Sequence, residues 1–194
     1  FLVPTVAFVV IGSFLMNGVI QVRMNFLSLY MESVGYEGRI IGFVSGFAFF
    51  VAGVTALQTE QAKRHLAPYW IVVFMVLLTA AANGIVPLFE AIPGLILTTI
   101  LFGIGVGLGM AFVLTLLSRS VPVSQFGLSV GLRTTGNRFG ATILPPIAGF
   151  AIDFAGGDFG AGFTMTSIMF ALGAVGIAIL ALRSKTIRDS FSKD

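Results

Sequence analysis

The chain has no cysteine and a single histidine, His65. The first absence excludes disulfides, thiolate metal ligands and a cysteine nucleophile; the second excludes any metal site needing two imidazoles. Charge is scarce as well. Only 10% of the 194 residues are Asp, Glu, Lys or Arg, where an ordinary soluble domain has about a quarter. Eleven basic and eight acidic side chains cannot wet the surface of a globule of this size, so a soluble enzyme is excluded. The net charge of +3 does not point to nucleic acid, because the positive residues are sorted by loop. No cofactor, metal site or catalytic residue is implied.

What the chain has is apolar length. The runs free of Asp, Glu, Lys and Arg are 1–22, 40–59, 66–89, 91–118 and 159–182, which span 22, 20, 24, 28 and 24 residues. A hydrocarbon core about 30 Å thick needs about 20 residues of helix, and all five runs reach that length. A sixth stretch, 127–153, is long enough but carries Arg133 and Arg138. The expected fold is an all-α integral membrane bundle of six transmembrane helices, a single domain over 1–194. Its spans are expected at about 5–30, 39–57, 69–88, 93–117, 127–153 and 161–182, followed by a tail over 183–194. The expected breaks fall at Gly35 and Gly38, Pro68, Pro87 with Pro93, Pro122, and Gly156 with Gly157, residues that punctuate helices.

Basic residues set the orientation. With the first span running outward, the inner side holds Lys63, Arg64, Arg119, Arg183, Lys185, Arg188 and Lys193, and the outer loops hold Arg39 alone. Both ends of this segment are therefore expected in the cytoplasm. The first run has no basic leader and no A-x-A cleavage pattern, so it reads as a span and not as a signal peptide. Phe1 reads as a cut end with more protein before it.

Most of the 24 glycines lie inside spans. In lipid, small residues let helices approach closely. Span two carries Gly42-x-x-x-Gly46, span four Gly103-x-Gly105-x-Gly107-x-Gly109, and span five Gly127-x-x-x-Gly131 and Gly136-x-x-x-Gly140 before Pro145-Pro146. Two readings stand: tight static packing, or smooth faces and a proline break that let helices rock.

Polar side chains at bilayer depth are expensive and are functional hypotheses by default. In span one, Ser13, Asn17, Gln21, Asn25 and Ser28 follow three- and four-residue steps and share a face, which either makes interhelical hydrogen bonds or lines a substrate cavity. Arg23 lies about 200° round the helix from Gln21. It either snorkels to the outer interface or takes its counter-charge from a missing segment, from carbonyls or from a substrate anion. Arg133 reads as an interfacial anchor. Arg138, beside Asn137, either snorkels or points into an inward-open cavity. The candidate substrate-binding residues are Asn17, Gln21, Arg23, Asn25, Asn137 and Arg138, with Arg23 or Arg138 expected on an anionic group of a small-molecule substrate.

Specific stretches resemble the major facilitator superfamily. Leu27-Ser28-Leu29-Tyr30-Met31, then Gly35 and Ile41-Gly42-x-x-x-Gly46, looks like that family's seventh helix running into its eighth. Leu132-Arg133 through Asn137-Arg138-x-Gly140, then Pro145-x-x-x-Gly149 and Asp153, looks like its eleventh. The resemblance covers essentially the whole chain as the C-terminal half of a 12-helix fold. The family's loop signature, roughly G-x-L-A-D-R-x-G-R-R, is decayed here. With its last basic pair on Lys63 and Arg64, Leu57 fits, but Thr55, Thr59 and Ala62 replace Gly, Asp and Gly, and Glu60 comes one place late.

The resemblance implies a multi-pass protein of the cell membrane, in contact with lipid. It implies secondary active transport of a small solute by alternating access, with the substrate held between this half and a missing N-terminal six-helix half. It also implies an inverted three-helix repeat, which the residues themselves do not display. Proton coupling needs a carboxylate or histidine inside the membrane, and such a group is expected outside this half. The rival reading is a half-size six-helix transporter that works as a homodimer. An intramembrane protease lacks its Ser-His or paired-aspartate residues here, and Ala82-Asn83-Gly84 does not match the Asn-Pro-Ala boxes of a water channel.

Overall fold

The structure, a computed structural model, describes residues 4–59, 61 and 68–184. Glu60, the basic pair Lys63 and Arg64, and the tail residues Lys185, Arg188 and Lys193 lie outside the described residues. Among the described residues there are six long helices: α1 Pro4–Ser33, α2 Gly38–Ala56, α3 Pro68–Gly84, α4 Ile92–Ser120, α5 Val123–Phe154 and α6 Phe159–Arg183. A 3-10 turn, Val86–Leu88, joins α3 to α4. An apolar chain at bilayer depth has no water for its backbone groups and must satisfy them within each segment, which selects helix. Five of the six helices are long and apolar enough to cross a membrane. The sixth, α5, carries Arg133, Asn137 and Arg138 and falls short on composition, although at 32 residues it is the longest.

Helix starts and stops have local causes. Pro68 stands first in α3, Pro93 lies in the first turn of α4, and Pro122 precedes α5. At these positions the missing proline N–H breaks no helical bond. α1 and α5 end on the same device. Gly35 (φ +97°) and Gly156 (φ +71°) take left-handed backbone that a Cβ would disfavour. The paired bonds Gly35 N–H to Glu32 carbonyl (2.9 Å) with Tyr36 N–H to Met31 carbonyl (3.0 Å), and Gly156 N–H to Asp153 carbonyl (3.0 Å) with Gly157 N–H to Ile152 carbonyl (2.9 Å), close both ends in the Schellman pattern. Asp158 then caps α6 by accepting the Gly160 N–H at 2.7 Å. Pro145 and Pro146 do not break α5, which stays helical through both.

The bundle pairs its helices as α1 with α5, α2 with α4, and α3 with α6. α3 also packs against α4, about as extensively as against α6. Glycines set the closest seams. α1 and α5 run parallel, with Gly136 against Val10, Gly140 against Phe14, and Gly18 against Leu144, advancing four residues on each helix per step. α2 and α4 also run parallel, Gly103 lying against Ala48 and Val51 and Gly107 against Ala52. Gly105 and Gly109 face Thr79 and Met16 instead, so the glycine run of α4 serves three neighbours at once, α2, α3 and α1. Gly42, Gly46, Gly127 and Gly131 have nothing within 4 Å of the position of a Cβ.

The main core is built on Phe8, Phe102, Phe112, Phe170 and Met75. A second cluster, around Leu27, Met31, Leu95 and Phe163, fills the end of the bundle that carries Glu37 and Glu90. There the Tyr30 hydroxyl donates to the Phe89 carbonyl (3.2 Å) and the Tyr36 hydroxyl to the Glu90 carbonyl (2.6 Å), which ties α1 to the α3–α4 connection. The large exposed side chains, among them Phe43, Phe50, Phe139, Phe150, Phe154 and Leu172, suit a lipid environment and would be a liability in water.

Candidate functional site

Two polar systems lie at bilayer depth, on different faces of α1. The first surrounds Arg23, whose side chain is fully enclosed at 0% exposure. One terminal nitrogen donates to the Ala82 carbonyl (3.3 Å) and Asn83 Oδ1 (3.2 Å) of α3, the other to Thr98 Oγ1 and Thr99 Oγ1 of α4, both at 3.0 Å. The guanidinium lies 4.7 Å from the centre of the Phe102 ring, within cation–π range. Its Nε–H is unpartnered. None of these partners is a carboxylate. The two threonine hydroxyls accept from Arg23 while donating to the Leu95 carbonyl at 2.9 and 2.7 Å, and Asn83 donates on to the Val19 carbonyl at 3.4 Å. Arg23 is thus a buried cation held by neutral oxygens that bind α1 to α3 and α4.

The second system follows the amide face of α1. Ser13 is buried at 3% exposure and its hydroxyl has no partner. Asn17 is half-buried and donates from Nδ2 to the Asn137 carbonyl of α5 at 2.7 Å. The reach is possible because helical side chains lean toward their N-terminus while the Asn137 carbonyl points the opposite way. Higher on the same face, Gln21 is half-buried, Asn25 is exposed, and Ser28 turns back to the Met24 carbonyl at 3.4 Å.

On α5 the polar residues divide between two directions. Arg133 and Asn137, one turn apart, enter a narrow cleft with Ser13 and Asn17, which Met110 and Val113 of α4 help to close. The Arg133 Nε is buried there without a partner. Arg138 lies about 100° further round and is exposed, between the exposed Thr135 and Thr142. About 90° from that polar strip, Leu132, Phe139, Ile143 and Phe150 form an exposed apolar one.

Of the residues selected from sequence, the structure brings Asn17 and Asn137 together, leaves Gln21 and Asn25 on the same open face, and separates Arg138 and Arg23 from that group. Arg133, read from sequence as an interfacial anchor, sits inside the cleft. The signal for it was present: Arg133 and Asn137 repeat on α5 the four-residue step of Ser13 and Asn17 on α1. Carbonyls were among the partners expected for Arg23, and the Ala82 carbonyl is one; its side-chain acceptors were missed, although Asn83, Thr98 and Thr99 are polar residues in otherwise apolar spans.

The Major Facilitator Superfamily model matches residues 6–193 of this chain. No curated protein matches it.

Proposed function

This chain belongs to the Major Facilitator Superfamily, and from that premise we propose that it moves a small solute across the cell membrane by alternating access. As a family member it is a multi-pass membrane transporter. In the proposed cycle, the face of α1 that carries Asn17, Gln21 and Asn25, together with the Thr135–Arg138–Thr142 strip of α5, forms one wall of the translocation cavity. A second six-helix unit supplies the other wall, and both ends of this segment lie in the cytoplasm.

The observation that carries the reading is the exposure of Asn25 on α1 and of Arg138, with Thr135 and Thr142, on α5, beside a separate exposed apolar strip. An arginine facing hydrocarbon at mid-depth costs about 2.5–3.5 kcal/mol on insertion scales. A water-filled cavity beside α1 and α5 removes that cost. The apolar strip of Phe139, Ile143 and Phe150 is the part of α5 suited to lipid.

The test is uptake by the full-length protein in sealed vesicles, against a panel of labelled anionic, neutral and cationic solutes. Accumulation above equilibrium that collapses when ion gradients are dissipated is the expected result. Uptake that stops at equilibrium for every solute, with or without a gradient, overturns the active mechanism.

A further inference from the structure

Arg23 is enclosed without a counter-charge. Its side chain is 0% exposed, and its partners, the Ala82 carbonyl, Asn83, Thr98, Thr99 and the Phe102 ring, are all uncharged. Neutral oxygens solvate a guanidinium through their dipoles but leave its net charge in place, so its field continues into the surroundings. The open face of α1 is the nearest place for that field to act. Asn25 is exposed and lies about 200° round the helix from Arg23, which puts roughly one helix diameter, 10–12 Å, between the guanidinium and that face. Other charges are more distant or better screened. The α1–α5 register, with Val10 beside Gly136 and Phe14 beside Gly140, places Arg133 level with Ala7, Arg138 level with Gly12 and Asp153 level with Leu27. The Arg138 backbone is thus about 16 Å along the bundle from that of Arg23. Asp153 and Glu32, the acidic groups closest to the level of Asn25, are exposed and open to screening by salt, as the enclosed Arg23 is not.

We propose that Arg23 is a specificity-determining charge that acts at a distance: without touching solute, it makes the α1 face of the cavity electropositive and selects anionic over cationic solutes there. The inference rests on the reading of that face as a cavity wall, but the field is measurable without transport. Across 10–12 Å, with an effective dielectric between about 20 and 40, one unit charge changes the affinity for another roughly three- to fifteenfold. This gives the buried cation a use that stability does not, since an apolar replacement of a buried charge is often neutral or stabilising.

The full-length protein carrying Asn25→Cys as its one reactive cysteine is treated in detergent with two thiol reagents of similar size, the anionic sulfonatoethyl methanethiosulfonate and the cationic trimethylammonioethyl methanethiosulfonate. The ratio of the anionic to the cationic rate reports the local potential. Because the two reagents respond with opposite sign, Arg23→Met should lower that ratio about tenfold or more, and Arg23→Lys, which keeps the charge, should preserve most of it. At Val123→Cys, roughly 40 Å away along the bundle, Arg23→Met should leave the ratio unchanged. The melting temperature of each variant is recorded so that rates are read only from folded protein, and Arg23→Gln is the second neutral replacement. An unchanged ratio at Asn25→Cys in folded Arg23→Met or Arg23→Gln overturns the proposal, as does an equal fall with Arg23→Lys. No reaction of Asn25→Cys with either reagent overturns it together with the cavity reading. A ratio that depends on Arg23, in a protein that moves no solute, counts against transport and leaves the assignment of the charge standing.

Discussion

Replacing Thr98 and Thr99 together with valine is expected to destabilise the bundle far more than replacing Arg23 itself. Each threonine gives the guanidinium a 3.0 Å acceptor, and a hydrogen bond to a charged group contributes about 1.5–3 kcal/mol. Thr98→Val with Thr99→Val therefore leaves a desolvated cation with half its partners and should cost about 3–6 kcal/mol. Arg23→Met removes the cation instead. The threonine hydroxyls it abandons still donate to Leu95 and Asn83 Nδ2 still donates to Val19, so only the Ala82 carbonyl and Asn83 Oδ1, both uncharged, lose this donor. Replacing a buried charge by an apolar group of similar volume is often neutral or stabilising. The expected order of unfolding midpoints in detergent is parent and Arg23→Met close together, the double valine variant well below both, and the triple variant recovered toward Arg23→Met. Equal losses for Arg23→Met and the double variant would show that Arg23 is stabilising in its own right.

The second large effect concerns glycines that look alike in sequence. A Cβ at Gly107 would overlap the Ala52 carbonyl, and one at Gly140 would overlap the Phe14 carbonyl, whereas Gly42 and Gly46 face open space. Backbone cannot step aside as a flexible side chain can. Gly107→Ala and Gly140→Ala should force α2 from α4 and α1 from α5, each costing about 1–3 kcal/mol or more. Gly46→Ala adds a Cβ where nothing meets it and gains helix propensity of up to about 1 kcal/mol. Thermal unfolding of the three variants in detergent checks this. Equal midpoints for Gly46→Ala and Gly107→Ala would contradict the seams described above.

The six-helix architecture was legible because its cause is local. Uncharged runs near 20 residues, with Pro68, Pro93 and Pro122 at starts and Gly35 and Gly156 at stops, are read without knowing any contact. Burial on one side or another of a membrane helix is not local. Where a membrane helix is apolar all round, hydropathy carries no phase, and Gly46 and Gly107 sit in the same x-x-x spacing with opposite surroundings. Arg23 could be placed off the amide face by its angle, but its partners come from α3 and α4, some sixty and seventy-five residues away. Arg133 and Arg138 show the limit most plainly. Position along α5 suggested which lay deeper, while their angles round it, five residues apart, decide which enters the cleft and which faces outward.

Alternating access requires that the polar faces of α1 and α5 meet water that is open to one side of the membrane at a time. This stretch of chain has no cysteine, so single cysteines placed in it report without background from it. Asn25→Cys, Arg138→Cys and Phe139→Cys are to be exposed to a membrane-impermeant maleimide from each side of oriented vesicles, with and without a transported solute. Asn25→Cys and Arg138→Cys are expected to react from opposite sides, with solute changing the two rates in opposite directions, and Phe139→Cys to react from neither. Silence at all three positions from both sides would contradict alternating access.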